Sequence, residues 1–230
     1  LPAGRHLEHL VRHAGAGFVM KRAALVLLWV LGSAAAAAAL TADEQMRFAD
    51  GIYLRGFYET AVTEYLALLR DHPDSEHVPA ALYRTGECYR QMGNPTGAER
   101  FYKQLATQHP QSDQVPRAEL RRAELALAAD RPDEAAAILN GLLTGAPAPD
   151  VAAAASYYLG YSRLRAGDEA GAAAAYERML AEHKDSPYAA YAALDLAALH
   201  AKDKGNDADM EGWFEQALAA AGTPAAKAEA

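Results

Sequence analysis

Gly56-Phe57-Tyr58-Glu59-Thr60-Ala61, followed by Tyr65 and Leu68 and closed by His72-Pro73-Asp74-Ser75, decides the fold, because the chain repeats it. A second copy reads Gly93-Asn94-Pro95-Thr96-Gly97-Ala98, then Tyr102, Leu105 and His109-Pro110-Gln111-Ser112. A fourth reads Gly167-Asp168-Glu169-Ala170-Gly171-Ala172, then Tyr176, Met179 and His183-Lys184-Asp185-Ser186. Between them a third copy keeps Ala135, Leu139, Leu142 and Pro147. The step is about 37 residues. Self-similarity at such a period marks a stacked array of helical units, each of which needs a neighbour to bury its apolar face.

Composition agrees with an all-α chain. Hydrophobic residues make up 51% of the sequence, and alanine supplies much of that share. Alanine is the best helix former and permits close helix approach. No sustained alternation of Val, Ile and Thr between hairpin turns announces a strand. The recurring residues have physical tasks. Gly56, Gly93 and Gly167 fall at the bend between two helices, where a positive φ suits glycine. Tyr65, Tyr102 and Tyr176 offer a large apolar body to the next helix pair, with a hydroxyl expected to stay wet. His72, His109 and His183 fall near the C-terminal end of a second helix, facing the negative end of its dipole. Ser75, Ser112 and Ser186 stand where the next helix begins and are expected to cap it.

These positions resemble those of tetratricopeptide-repeat proteins, whose unit is a helix pair of 34 residues. The small residue of the second helix falls on Ala61, Ala98, Ala135 and Ala172, and its aromatic on Tyr65, Tyr102, Leu139 and Tyr176. The first-helix glycine falls on Ala49, Gly86, Ala123 and Gly160; the turn glycine falls on Gly56, Gly93, Asp130 and Gly167. The resemblance implies a right-handed α-solenoid of about five repeats over 42–224. Its units are expected at about 42–75, 79–112, 116–149 and 153–186, with a degenerate fifth at 191–224 and a tail at 225–230. In the fifth, Leu194, Ala198 and Gly205 take first-helix and turn positions, and Phe214 and Ala217 second-helix ones; Met210 replaces the small alanine. The surplus over 34 fits the linkers Glu76-His77-Val78 and Asp113-Gln114-Val115. Long linkers and the His-Pro-Asp-Ser closure resemble bacterial envelope members of the family. Those include the lipoproteins of outer-membrane β-barrel assembly and the periplasmic coordinator of the Tol–Pal system.

The N-terminal region reads separately. Met20-Lys21-Arg22 is basic, Ala23–Leu31 is apolar, and Gly32-Ser33 leads into alanines ending at Ala37-x-Ala39. That order is a secretory signal peptide over 20–39 with a cleavage site before Leu40. The alternative is a retained inner-membrane anchor, since the uncharged stretch is about 20 residues, just enough to span a bilayer. Residues 1–19 precede the signal and are read as upstream read-through, with Met20 as the start. The expected location is therefore the periplasm. Cys88 is the single cysteine, so no internal disulfide forms; it reads as a small buried hydrophobe. No cysteine lies near residues 32–42, which excludes lipid attachment behind a lipoprotein signal. The net charge of −8 disfavours nucleic acid and anionic lipid as partners.

The sequence supplies no convincing chemistry. Asp71-His72-Pro73-Asp74-Ser75-Glu76-His77 gathers metal-ligand types, but His72 and Ser75 recur in other copies as linker and cap residues. Asp203-Lys204-Gly205-Asn206-Asp207-Ala208-Asp209 lacks the acidic end of a calcium loop. Phosphate loops, paired-cysteine motifs and nucleophile elbows are missing. The expectation is a non-enzymatic protein without catalytic residues, cofactor or metal. Function should then lie in a groove lined by the first helix of each unit. The family's groove positions place Tyr53, Tyr83, Glu87, Arg90, Arg117, Glu124, Tyr157, Tyr161 and Arg165 there, together with Met46, Asp50 and Leu120. Tyrosine and arginine are the types enriched at binding hot spots. Met46 and Asp50 replace the Lys and Asn of the family's carboxylate clamp, so an extended peptide or a helix of another protein is the expected ligand. The expected role is an envelope scaffold, with β-barrel-assembly or Tol–Pal components as partners. The alternative is an oligomerising subunit of an outer-membrane assembly complex, joined through Trp213 and Phe214.

Overall fold

Alanine-rich segments joined by three- to six-residue connections fold into helix pairs. The computed structural model describes residues 40–202, with single positions at 212, 215 and 219. From Ala42 onward the described helices are α1 (Ala42–Tyr53), α2 (Tyr58–Asp71), α3 (Val78–Gln91), α4 (Pro95–Gln108) and α5 (Val115–Ala128), then α6 (Pro132–Thr144), α7 (Pro149–Arg165), α8 (Glu169–Glu182) and α9 (Tyr188–Lys202). Each packs on the helix before and after it, and α7 also lies against α5 and α9. The odd-numbered helices are the first members of successive pairs, so first helices adjoin along one wall. This is an all-α solenoid of stacked helix pairs. The readings that fall on 1–39, on Gly205, Met210, Trp213, Phe214 and Ala217, and on the calcium-like run lie outside the described residues.

The turn between paired helices is made the same way four times. Gly56, Gly93 and Gly167 take φ of 79°, 69° and 83°, and Asp130 takes 57° at the equivalent position. Aspartate is one of the few side chains that visits this region readily. The expectation for Ser75, Ser112 and Ser186 needs correction. Their hydroxyls accept the amides of His77, Gln114 and Tyr188, two residues on, at 3.1–3.2 Å. The N-cap positions of α3 and α5 are held by His77 and Gln114, without a side-chain cap. The longer linker inserts a serine turn ahead of the helix instead. Side-chain caps occur on second helices: Asn94 accepts from Gly97 N and Asp168 from Gly171 N, both at 2.9 Å.

Small residues let the pairs close. Ala49, Ala61, Ala98, Ala123, Ala135 and Ala172 are fully buried. A methyl added at Gly86 would come within 2.4 Å of Tyr102, and one at Gly160 within 2.5 Å of Tyr176. Tyr65, Tyr102 and Tyr176 are wholly buried, hydroxyls included, which corrects the expectation of wet hydroxyls. Burial of each ring stabilises by about 1.5–3 kcal/mol, provided the hydroxyl finds a partner. Tyr65 donates to Asp50 Oδ1 at 2.6 Å and Tyr102 donates to Glu87 Oε1. The acid stands fifteen residues earlier both times, at one position of the first helix.

Candidate partner-binding groove

The wall of first helices carries a cleft. Between α3, α5, α7 and the α8–α9 connection lies a space of about 550 Å³, lined by Tyr83, Arg117, Leu120, Arg121, Val151 and Tyr188 among others. A second hollow of about 490 Å³, between α1, α3 and α5, shares Tyr83, Arg117 and Arg121 and adds Asp50 and Arg84. The shared residues make the two spaces one groove.

Its floor is an ionic network built around Glu87. This carboxylate is buried, and accepts from Arg90 Nε at 3.2 Å, Arg90 Nη2 at 3.0 Å and the Tyr102 hydroxyl. Arg121 approaches it at 3.5 Å while holding Glu124 at 2.8 Å. Burial pushes the Glu87 carboxyl up, but the hydrogen bonds from Arg90 and Tyr102 and the Arg121 charge outweigh it and hold it below its ordinary value. Burial and the neighbouring Glu87 push the Tyr83 hydroxyl up. The network ties α3, α4 and α5 together across two repeats.

Beyond it lies an aromatic cluster on α7 and α9. The Tyr157 ring is 5.4 Å from Tyr158, 6.5 Å from Tyr161, 5.6 Å from Tyr188 and 6.0 Å from Tyr191, centroid to centroid. The Tyr157 hydroxyl donates to Asp195 Oδ2 at 3.3 Å. Tyr176 lacks an acid fifteen residues back, because Tyr161 occupies that place. Burial and Asp195 push the pKa of the Tyr176 hydroxyl up instead, and burial pushes that of the Asp195 carboxyl up in spite of both tyrosines.

The residues expected at the groove are distributed as follows. Tyr83 and Arg117 line the cleft, Arg117 being exposed; Glu87, Arg90 and Glu124 belong to the network beneath it. Tyr53 lies at the α1 end, with the Arg84 guanidinium 5.0 Å above its ring. Tyr157 and Tyr161 belong to the aromatic cluster, joined to the cleft through Tyr188. Arg165 sits 6.0 Å over Tyr161 and donates to Asp130 Oδ1 at 2.6 Å. Arg84, Arg121, Tyr188 and Asp195 were not expected. Asp195 holds in the fifth unit the place that Tyr157 holds in the fourth, so the register contained that signal. Tyr188 begins a helix, outside the family's groove positions.

Cys88 is buried, and burial pushes its thiol up to about 12. His77 Nε2 meets Asp43 Oδ1 at 2.7 Å, bridging the first helices of two units. Among the described residues, no group of three His, Cys, Asp or Glu could hold a metal ion. No described helix is long and apolar enough to cross a membrane.

Comparison with known proteins agrees with this architecture. A tetratricopeptide-repeat model matches residues 80–112, and a second matches residues 120–190. Among solved structures, MamA from Desulfovibrio magneticus RS-1 superposes with a TM-score of 0.63 at 17% identity, over 78% of this chain and 94% of that one. PilF of Pseudomonas aeruginosa gives 0.64 at 18% identity, over 79% and 77%. PilW, a type IV pilus biogenesis factor, gives 0.60 at 19% identity, over 80% and 79%. At these identities the likeness is one of fold. Curated proteins give no match.

Proposed function

Because the chain is a tetratricopeptide-repeat protein, we propose that it is an exported, non-enzymatic scaffold of a bacterial envelope that holds a peptide or helix of another protein in its groove. The observation that carries the reading is the cleft along α3, α5 and α7, where tyrosines and arginines meet apolar side chains. Such a surface offers large contact area and directional donors to an extended or helical segment. Export rests on the Met20–Ala39 segment, and sequencing the mature N-terminus tests it: a start at Leu40 supports cleavage, whereas an intact Met20 opposes it. β-barrel-assembly and Tol–Pal components are the partners to look for, on the resemblance of the linkers alone.

The groove is tested by Tyr161→Glu, with partner capture measured in the native host. Capture is lost while the helical circular dichroism stays unchanged; undiminished capture refutes the groove. An oligomerising role is the second reading, favoured by the first unit, where Phe48, Leu54 and Phe57 are more than half exposed. Terminal repeats ordinarily present a polar outer face. Sedimentation distinguishes the two, since a concentration-independent monomer rejects self-association.

A further inference from the structure

The arginines of the groove are of two kinds. Arg90 and Arg121 are engaged within the fold, hydrogen-bonded to Glu87 and Glu124 at 2.8–3.2 Å. Arg84 and Arg117 are held more loosely, Arg84 lying over the Tyr53 ring at 5.0 Å. Arg84 reaches Asp50 only at 3.6 Å and Arg117 reaches Asp150 only at 3.7 Å, both beyond hydrogen-bond distance. An arginine presents five donors in a planar fork that matches a carboxylate. These two forks face the hollow, where Asp50 is the one carboxylate among three arginines. This occurs in a chain whose net charge is −8. Farther along, the groove turns apolar at Leu120, Val151 and Tyr188, and there its rim carries both signs of charge, Glu182 and Asp185 beside Lys184.

We propose that the groove recognises a protein segment with clustered carboxylates at one end and apolar side chains at the other. The carboxylates pair with Arg84 and Arg117, replacing their long contacts to Asp50 and Asp150, and the apolar side chains lie on Leu120, Val151 and Tyr188. The proposal rests on the groove reading above and adds to it the chemistry and direction of the partner segment. Charge complementarity of this kind fixes register and suppresses wrong partners.

The test is fluorescence anisotropy on the full chain with an end-blocked glutamate–leucine peptide, against serine–leucine and lysine–leucine counterparts. The glutamate peptide binds preferentially, and its affinity falls as NaCl rises. Arg117→Glu, on an exposed side chain, weakens it about tenfold. Asp150→Asn, which releases Arg117, tightens it; a change that merely disturbed the fold would not. Equal binding of all three peptides overturns the acidic assignment and leaves the groove reading standing. Preference for lysine, or failure of the glutamate peptide to bind, also overturns it. The groove reading is then judged separately, by partner capture with Tyr161→Glu.

Discussion

Gly86 is packed against the ring of Tyr102 so closely that a methyl added to it would come within 2.4 Å of Tyr102 Cε1. The ring cannot retreat easily, since it is fully buried and its hydroxyl is fixed on Glu87. Gly86→Ala is therefore predicted to destabilise by about 1–3 kcal/mol from overpacking, reduced by the roughly 1 kcal/mol that alanine contributes to helix propensity. Gly141 in α6 has nothing within 4 Å of the added methyl. Gly141→Ala should stabilise by up to about 1 kcal/mol. Urea denaturation of both variants checks the opposite signs.

Glu87 and Asp195 are both partly or wholly buried carboxylates, but their responses to pH should differ in sign. Glu87 is held below its ordinary value, so its contribution is complete above the unfolded value and is lost as pH falls through the folded one. Glu87→Gln should cost about 2–4 kcal/mol at neutral pH, with the gap to wild type closing below about pH 4. Asp195 is raised by burial, so its charged form is disfavoured in the fold. Asp195→Asn should raise the melting temperature at neutral pH, and the gain should vanish in acid. Melting curves across pH decide both.

Phe57 occupies the N-cap of α2 with no side-chain cap, at the repeat position where Asn94 and Asp168 cap α4 and α8. Phe57→Asn is predicted to stabilise by about 0.5–1 kcal/mol relative to Phe57→Ala, measured by denaturation.

Cys88 is fully buried and its thiol is pushed up to about 12. In the folded protein it should resist iodoacetamide at neutral pH, and react once urea unfolds the chain, as read by mass spectrometry.

The architecture was legible because it depends on local spacing repeated in register. The turn at 56, 93, 130 and 167 was readable even where Asp130 replaces glycine, since a left-handed residue is required there in every unit. The fate of the tyrosine hydroxyls was not readable. Their partners stand on a different helix, and only packing reveals that Asp50 and Glu87 reach them while Tyr161 removes that option from Tyr176. Groove positions carried over from the family pointed to Tyr83 and Arg117 at the cleft. They passed over Arg84 and Arg121, whose roles come from contacts to acids on neighbouring helices, Asp50 and Glu87. The serine turn was misread because the added linker residues place Ser75 and Ser112 two residues ahead of the N-cap positions.

The central claim is that a partner lies in the groove, and a photo-crosslinking residue placed singly along the solenoid tests it most directly. Tyr188 lines the cleft, whereas Glu177 is exposed on the second helix α8. Irradiation in the native host should give a covalent partner adduct from position 188 and none from position 177. Adducts from position 177 with none from position 188 would contradict the account.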